Sequence, residues 1–377
     1  MFVRIPATPT ASRLRSSSPS ERTPGPYKDS RLTHTCVPEH VGPATTVWCP
    51  WRLPSASQPG GEEVLTMKSR IEPFLIDESV KARRRKKIGG VGRLRSPIRW
   101  FGGRGQMVSK LLPLIPPHHI YVEVFGGGAS LLLAKEPSVV EVYNDLDSGL
   151  VNLFRVLRDP QKFARFHELV LLTPYSREEY GFCLNVWEES ADDVVKAFRW
   201  FVVARGSFSG VFGHSWSSAV TSSSRGMAST ASAWLSTLNA LPAIHERMMR
   251  VQIEHADFRQ ILQRYDTPET FFHVDPPYAP ETRKSGGYRH ELTLDDHREL
   301  VELLLGLRGK VMLAGYDHPV YEPIDAAGWC RHDFQVTCSA AGRTRASGLL
   351  GEGVVSIRQP RVESIWLSPN CSQDEAG

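Results

Sequence analysis

Between residues 97 and 370, short apolar runs alternate with helix-length segments. The strands that this pattern predicts cover residues 121–125, 139–143, 271–274, 310–314, 333–338 and 362–367, and the helices between them include 129–134, 150–157 and 294–307. Strands separated by helix-length segments indicate a mainly parallel sheet with helices on both faces. We therefore expect an α/β fold.

Residues 160–255 interrupt this alternation. The stretch is rich in helical pattern and carries a loop of serine, glycine and aromatic residues, and it lies between two strands of the predicted sheet. An insertion of this size predicts a second, smaller domain.

Residues 1–96 differ in composition from the rest of the chain. Ser, Thr, Pro, Arg and Gly dominate without a persistent period, which is typical of a disordered extension. Residues 1–98 carry 17 Lys and Arg against 8 Asp and Glu, whereas residues 99–377 carry 28 against 33. Any nucleic-acid contact of this acidic body must come from a local basic patch. A transit peptide, a start at Met67, and a phosphate-binding or linker role for residues 81–87 remain open.

The cysteines and histidines limit the cellular environment and the metal content that we expect of the protein. The six cysteines form no C-x-x-C pair, which argues for a reducing interior and against a zinc ribbon or a disulfide scaffold. His214, His255 and His273 lack metal-ligand spacing, so we expect structural histidines and no metal. No apolar run reaches the roughly 20 residues that span a bilayer. We expect a soluble, cytoplasmic protein without membrane contact.

The segment Asp275-Pro276-Pro277-Tyr278 follows the apolar run 271–274. Proline has no backbone N–H, so the carbonyls of this rigid corner remain as acceptors. The Asp275 carboxylate adds another acceptor, and Tyr278 offers a flat face for stacking. This set suits an exocyclic amino group with two hydrogens to donate. A strand that merely ends at a Pro-Pro turn has the same pattern.

Two segments nearer the N-terminus favour a nucleoside-containing ligand. Residues 121–130 read as a strand, a glycine turn and a helix start, where a backbone can approach an anionic or electron-rich group closely. Asp145 stands twenty residues after Phe125, at a strand tip where an acid binds a ribose diol, although an N-cap role fits Asp145 or Asp147 as well. The incomplete G-x-G-x-x-G pattern disfavours a nicotinamide-binding oxidoreductase.

In their order along the chain, these segments resemble the Dam-like, alpha-group DNA adenine-N6 methyltransferases, which use S-adenosylmethionine. The resemblance covers about residues 97–370. It implies a Rossmann-like methyltransferase sheet, mostly parallel with an antiparallel last strand, built from residues 97–159 and 256–370. Residues 160–255 would then be an inserted helical target-recognition domain for DNA, and residues 371–377 a tail.

The resemblance also implies site residues. Catalysis would rest on Asp275, Pro276, Pro277 and Tyr278. Cofactor binding would involve Trp100, Gly102, Gly103, Arg104, Glu123, Phe125, Gly126, Gly127, Gly128, Asp145, Asp257 and Asp275. DNA binding would involve Arg205, Ser207, Phe208, His214 and Arg225. The last strand would carry Arg361, Glu363 and Trp366.

Two positions depart from the family pattern. Arg104 replaces the lysine of the Trp-x-Gly-Gly-Lys segment, which keeps the charge but not the shape. Ala129 replaces the last glycine of the Phe-x-Gly-x-Gly turn. Neither change removes a catalytic atom, so we expect an active enzyme.

The implied activity is site-specific methylation of an adenine that a monomeric enzyme flips out of duplex DNA. A same-fold methyltransferase acting on RNA or on a protein amide is the nearest alternative, although amide methylases usually have Asn in place of Asp275. A DNA-binding module with a decayed cofactor site is a further alternative, disfavoured by the intact Asp145 and residues 275–278. The recognised sequence, and a restriction, phage or regulatory setting, remain open.

Overall fold

The computed structural model of the chain describes residues 93–282, 287–337 and 360–375. All of them belong to one compact unit that runs from residue 81 to the C-terminus. The predictions made for residues 1–92, including Met67 and the basic cluster at 81–87, lie outside the described residues.

A seven-stranded sheet forms the centre of the fold. Its strands are β1 (Ile120–Glu123), β2 (Val140–Asn144), β5 (Gln252–Glu254), β6 (Thr270–Val274), β7 (Lys310–Gly315), β8 (Cys330–Thr337) and β9 (Pro360–Leu367). Their order across the sheet is β5-β2-β1-β6-β7-β9-β8. Neighbouring strands from β5 to β7 pair in parallel, and β9 pairs antiparallel with both β7 and β8. The predicted α/β sheet with an antiparallel last strand is confirmed.

Ten helices surround the sheet within the described ranges. They are α1 (Val108–Leu111), α2 (Ser130–Ala134), α3 (Ser148–Arg158), α4 (Pro160–Leu171), α5 (Arg177–Val186), α6 (Asp193–Gly206), α7 (Ser229–Met248), α8 (Phe258–Tyr265), α9 (Leu294–Leu305) and α10 (Glu322–Ala326). A two-stranded hairpin, β3 (Ser223–Ser224) and β4 (Met227–Ala228), precedes α7.

Side chains of the central strands alternate between two apolar cores. Tyr121 and Phe271 face a core that they share with α3, α4, α6 and α7, whereas Val122 and Phe272 face a core that they share with α8 and α9. Every residue of β6 and β7 is buried, as expected of parallel strands covered on both faces. The two faces of the sheet are therefore covered, and its carboxyl edge is left to carry a site.

The helical segment predicted between residues 160 and 255 is present as α4 to α7 with the β3–β4 hairpin. Its large buried side chains, among them Phe166, Trp200 and Leu241, are continuous with the core on one face of the sheet. The apolar run along α6 explains this, because Trp200, Phe201 and Val203 are fully buried. No helix of the described residues is long and apolar enough to cross a membrane.

Candidate active site

A cleft opens at the carboxyl edge of the sheet, above the ends of β1, β2 and β6. It encloses about 960 Å³ of space, including its mouth. Predicted site residues that line it are Trp100, Gly102, Gly103, Glu123, Phe125, Gly126, Gly127, Gly128, Asp145, Asp275 and Pro277. The carboxyl edge of an open α/β sheet is where ligands bind in such folds.

Asn144 holds the strand ends together beneath this cleft. Its buried side-chain amide donates to the carbonyls of Val124 and Ala256, at 2.9 and 3.0 Å, and its Oδ1 accepts from Ala256 N–H at 2.9 Å. One side chain thus links the ends of β1, β2 and β5. This link fixes the positions of the acidic residues at the ends of these strands relative to one another.

The glycine turn at residues 126–128 forms one wall. A Cβ on Gly126 would lie 2.2 Å from the ring of Tyr143, and one on Gly127 would lie 2.9 Å from the ring of Trp100. Gly127 has φ +47°, a conformation that glycine adopts without strain. Ala129 also lies in the left-handed region, at φ +53°, which costs about 1–2 kcal/mol for a residue with a Cβ. The replacement of the family's last glycine therefore leaves a strained backbone.

The Trp100 segment covers this turn. Gly103 N–H donates to the Trp100 carbonyl at 3.0 Å, and Gly102 supplies a left-handed φ of +70°. The tight turn brings the indole of Trp100 against Gly127. Arg104 lies in the short helical turn that follows, and its side chain is outside the described part of the structure.

Asp145 stands at the tip of β2 and contacts the glycine turn. Its Oδ2 accepts from Gly127 N–H at 2.9 Å and its Oδ1 accepts from Asp147 N–H at 2.8 Å. Burial raises the pKa of Asp145 to about 6. The N-cap role belongs to Asp147, whose carboxylate accepts from the first N–H groups of α3. Asp145 is thereby left on the cleft wall.

Glu123 is buried at the end of β1. Its Oε1 accepts from the Tyr121 hydroxyl at 2.9 Å and from Leu132 N–H at 2.8 Å. Burial raises the pKa of Glu123 to about 7. Its other oxygen, Oε2, has no hydrogen-bond partner among the described residues. A buried carboxylate oxygen without a partner is costly, so a donor on a bound ligand would satisfy it.

Asp257, also predicted as a cofactor-binding acid, does not line the cleft. Its carboxylate caps α8 by accepting from Arg259 N–H at 2.9 Å, and it forms an ion pair with the Arg259 guanidinium. Ala256 and Phe258, which precede and follow Asp257 in the chain, do line the cleft. Helix capping and the ion pair thus account for Asp257 in this structure.

Residues 275–278 follow directly from β6. Asp275 and Pro277 line the cleft, Pro276 is buried, and the Tyr278 ring lies edge-on to Tyr316 at 4.5 Å. The alternation of side chains along the strand end sends Asp275 to the same side as His273, which also lines the cleft. The acid therefore faces the same space as Glu123 and Asp145.

A model of D12 class N6 adenine-specific DNA methyltransferases matches residues 100–327, which is more than half of the chain. The chain belongs to this family. The chain is also similar to the type II methyltransferase M1.LlaDCHI of Lactococcus lactis subsp. cremoris, with 24% identity over 286 residues, or 70% of this chain and 95% of that protein. Family membership confirms the resemblance and makes the protein an enzyme that methylates the amino nitrogen of adenine in DNA.

The residues predicted to contact DNA lie in different environments. Arg205 is buried in α6 and donates to the Ala233 carbonyl at 3.1 Å, and burial lowers its pKa to about 9. Ser207 is fully buried, and Phe208 is half-buried. His214 is exposed beside a smaller hollow of about 460 Å³ that also touches Phe101 and Tyr288.

Arg225 occupies the tip of the β3–β4 hairpin. It and Gly226 have φ of +55° and +75°, which is the geometry of a tight two-residue turn. The Arg225 guanidinium donates to the hydroxyls of Ser232 and Ser236 on α7, at 2.9 and 2.7 Å. An exposed cation at a hairpin tip is accessible to a phosphate.

One wall of the cleft was not predicted from the sequence. Residues 288–292 follow residues 275–278 in the chain and also line the cleft. Tyr288 packs edge-on against Phe101 at 5.2 Å, and Arg289 donates to Glu188 beyond α5 at 2.9 Å. The available signal was the clustering of aromatic, basic and histidine residues at 288–292, which begins ten residues after Tyr278. Residues 288–292 form neither a helix nor a strand, so no periodic pattern in the sequence could have predicted their position.

Proposed function

We propose that the D12 methyltransferase binds S-adenosylmethionine in the cleft and methylates an adenine flipped out of duplex DNA. The observation that carries the proposal is the convergence of Glu123, Asp145 and Asp275 on one cleft at the carboxyl edge of the sheet. Three acids from three adjacent strands meet there, beside a glycine turn that leaves room for a ligand.

The chain's own residues fit this cofactor. The Oε2 atom of Glu123 offers an unused acceptor for an ammonium group, and Asp145 offers acceptors for ribose hydroxyls. Gly126 and Gly127 line the cleft and let the turn pack against the rings of Tyr143 and Trp100, where a Cβ would collide. When bound, S-adenosylmethionine supplies an activated methyl group.

Residues 275–278 would hold the target adenine. The amino nitrogen of adenine is a poor nucleophile because its lone pair is delocalised into the ring. The Asp275 carboxylate and the Pro276 carbonyl would accept its two N–H groups, which draws the nitrogen towards tetrahedral geometry and localises the lone pair. Tyr278 would stack on the base, a contact worth about 1–3 kcal/mol. Holding the reactants in place supplies much of the rate.

We assign DNA recognition to residues 160–255. His214 and Arg225 are exposed, so both would be able to meet a phosphate or a base edge. Arg205 is buried and donates to the Ala233 carbonyl. Its contact with DNA would require this hydrogen bond to break and the side chain to move to the surface. Ser207 and Phe208, which directly follow α6, would pack beneath the loop that continues to His214 and support it.

The biological setting is proposed by analogy. The similar protein from Lactococcus lactis is a type II methyltransferase, and we propose the same site-specific activity, beside a restriction enzyme, for this chain. We further propose that the enzyme acts as a monomer in the cytoplasm, where the DNA of a bacterium or phage is accessible.

Label transfer tests the proposal. The purified protein is incubated with methyl-labelled S-adenosylmethionine and unmethylated DNA, RNA or protein, and cofactor affinity is measured separately. We expect label on DNA alone, loss of transfer in Asp275→Ala, and full activity in Asp333→Ala, which removes an exposed acid on β8. Label on RNA or protein alone, or an active Asp275→Ala, would refute the proposal.

A further inference from the structure

Tyr316 follows β7 directly and lies beside the segment that follows β6. Strands β6 and β7 are parallel neighbours, so their carboxyl ends meet at the same edge of the sheet. The rings of Tyr278 and Tyr316 have centroids 4.5 Å apart and are inclined by 69°. This is the edge-to-face arrangement that aromatic pairs prefer.

Arg361 extends the contact to a third element. It lies on β9, next to β7, and its guanidinium is 5.4 Å from the ring centroid of Tyr316. Tyr278, Tyr316 and Arg361 thus form a row of three half-buried side chains across the strand ends. A cation over a tyrosine face is attracted by the ring quadrupole, so the row is held at both contacts.

We propose that Tyr316 is a positioning residue for the target adenine, acting through Tyr278. The inference rests on the proposed stacking role of Tyr278. A tyrosine ring at the start of an irregular segment can turn about its side-chain torsions, and a turned ring would not present a face to the base. Tyr316, whose ring is contacted by Arg361, packs against the Tyr278 ring and thereby fixes the plane of Tyr278.

The position of the row separates this role from cofactor binding. The residues that line the cleft include Asp275 and Pro277 but neither Tyr316 nor Arg361. A change at Tyr316 should therefore alter catalysis on DNA and leave cofactor affinity unchanged. A general loss of folding would change both.

The experiment compares Tyr316→Leu with Tyr316→Phe on unmethylated plasmid DNA. From the strength of an edge-to-face pair, we expect Tyr316→Leu to lower kcat/KM for DNA by roughly 2- to 13-fold. The phenylalanine variant keeps the ring and should recover most of this loss. The dissociation constant for S-adenosylmethionine and the Tm should stay near those of the wild type. Tyr265→Leu, which removes a half-buried tyrosine from the end of α8, is the matched control.

A double-mutant cycle with Tyr278→Leu decides between the outcomes. If Tyr316 acts through Tyr278, Tyr316→Leu has no further effect on kcat/KM in the Tyr278→Leu background. If Tyr278→Leu lowers activity but the two losses multiply in full, Tyr316 acts independently and the inference is overturned. If Tyr278→Leu leaves activity unchanged, the stacking role of Tyr278 itself fails, and the inference fails with it.

Discussion

The Tyr121 hydroxyl donates a 2.9 Å hydrogen bond to Glu123 Oε1, and both side chains are buried, with Glu123 also lining the cleft. Burial raises the pKa of Glu123 from the ordinary value near 4.5 to about 7. Between about pH 4.5 and pH 7, Glu123 is therefore protonated in the folded protein and ionised in the unfolded chain. The contribution of Glu123 to stability is fully present below about pH 4.5 and is lost as the pH rises through about 7.

We predict that Glu123→Gln stabilises the fold at pH 8 and weakens cofactor binding. The amide keeps an oxygen for Tyr121 and Leu132 but carries no charge to desolvate. The free energy of unfolding should rise by roughly 1–3 kcal/mol, and its decline between pH 5 and 8 should flatten. Denaturant titrations across this pH range measure both effects.

Glu254→Gln is the matched control, because Glu254 also ends a strand and accepts from a tyrosine hydroxyl, at 2.8 Å from Tyr265. Glu254 is partly exposed and does not line the cleft. Its substitution should not flatten the pH profile. An unchanged profile in Glu123→Gln would show that Glu123 is not the group that titrates.

A second prediction concerns Gly126. A Cβ there would lie 2.2 to 2.8 Å from three ring atoms of Tyr143. That ring cannot move aside easily, because its hydroxyl donates to the Gly127 carbonyl at 2.8 Å and it packs on Phe154. We expect Gly126→Ala to lower the free energy of unfolding by about 1–3 kcal/mol and to abolish measurable cofactor binding.

Gly181→Ala makes the same substitution where the structure has room. Gly181 lies inside α5, and no atom stands within 4 Å of its added Cβ. Alanine should stabilise this helix by about 0.5–1 kcal/mol and leave cofactor binding unchanged. Equal binding by the two variants, measured by titration calorimetry, would contradict the assignment of the glycine turn.

Much of the central sheet was predictable from the sequence, because its strands follow local patterns of apolar residues and turns. The buried run that forms β6 and the acid at the tip of β2 follow from apolar periodicity and turn residues alone. Burial of Arg205 was also readable, since it ends the apolar stretch 200–204. The wall formed by residues 288–292 was not, because its contacts with Phe101 and Glu188 join positions about one to two hundred residues away. Such contacts depend on tertiary packing and leave no period in the sequence.

The buried ion cluster of Lys135, Glu141 and Arg247 gives a third prediction. Glu141 Oε1 accepts from Lys135 and from Arg247, each at 2.7 Å, and all three side chains are less than one-tenth exposed. The cluster joins β2 to the ends of α2 and α7. Burial opposes ionisation of Glu141, yet its bonds from Arg247 and Lys135 hold its pKa below the usual value.

We expect Glu141→Gln to lower the free energy of unfolding by about 3–5 kcal/mol, because it leaves two buried cations without a counter-ion. Asp295→Asn breaks an exposed pair with Arg298 and should change stability by less than about 0.5 kcal/mol. Urea unfolding monitored by tryptophan fluorescence compares them. Similar losses in both variants would mean that burial does not set the strength of these pairs.

The last prediction concerns Arg289, which lines the cleft and reaches the helical segment. Its guanidinium lies 5.0 Å from the ring centroid of Trp187 and donates to Glu188 at 2.9 Å. Both charged side chains are well exposed, so the pair contributes at most about 1 kcal/mol to folding. Its larger effect should be to hold residues 288–292 over the cleft. We expect Arg289→Ala and Glu188→Ala each to raise the dissociation rate of the cofactor by about 3-fold, with little change in Tm.

Glu188 makes this test decisive, because it does not line the cleft and can act on the cofactor only through Arg289. Arg264→Ala, which removes an exposed arginine paired with Glu254 at 3.0 Å, controls for the loss of a surface cation. Stopped-flow displacement of the bound cofactor measures the rates. A faster release in Arg289→Ala but not in Glu188→Ala would place Arg289 in direct contact with the cofactor. The ion pair across to the helical segment would then have no part in retaining it.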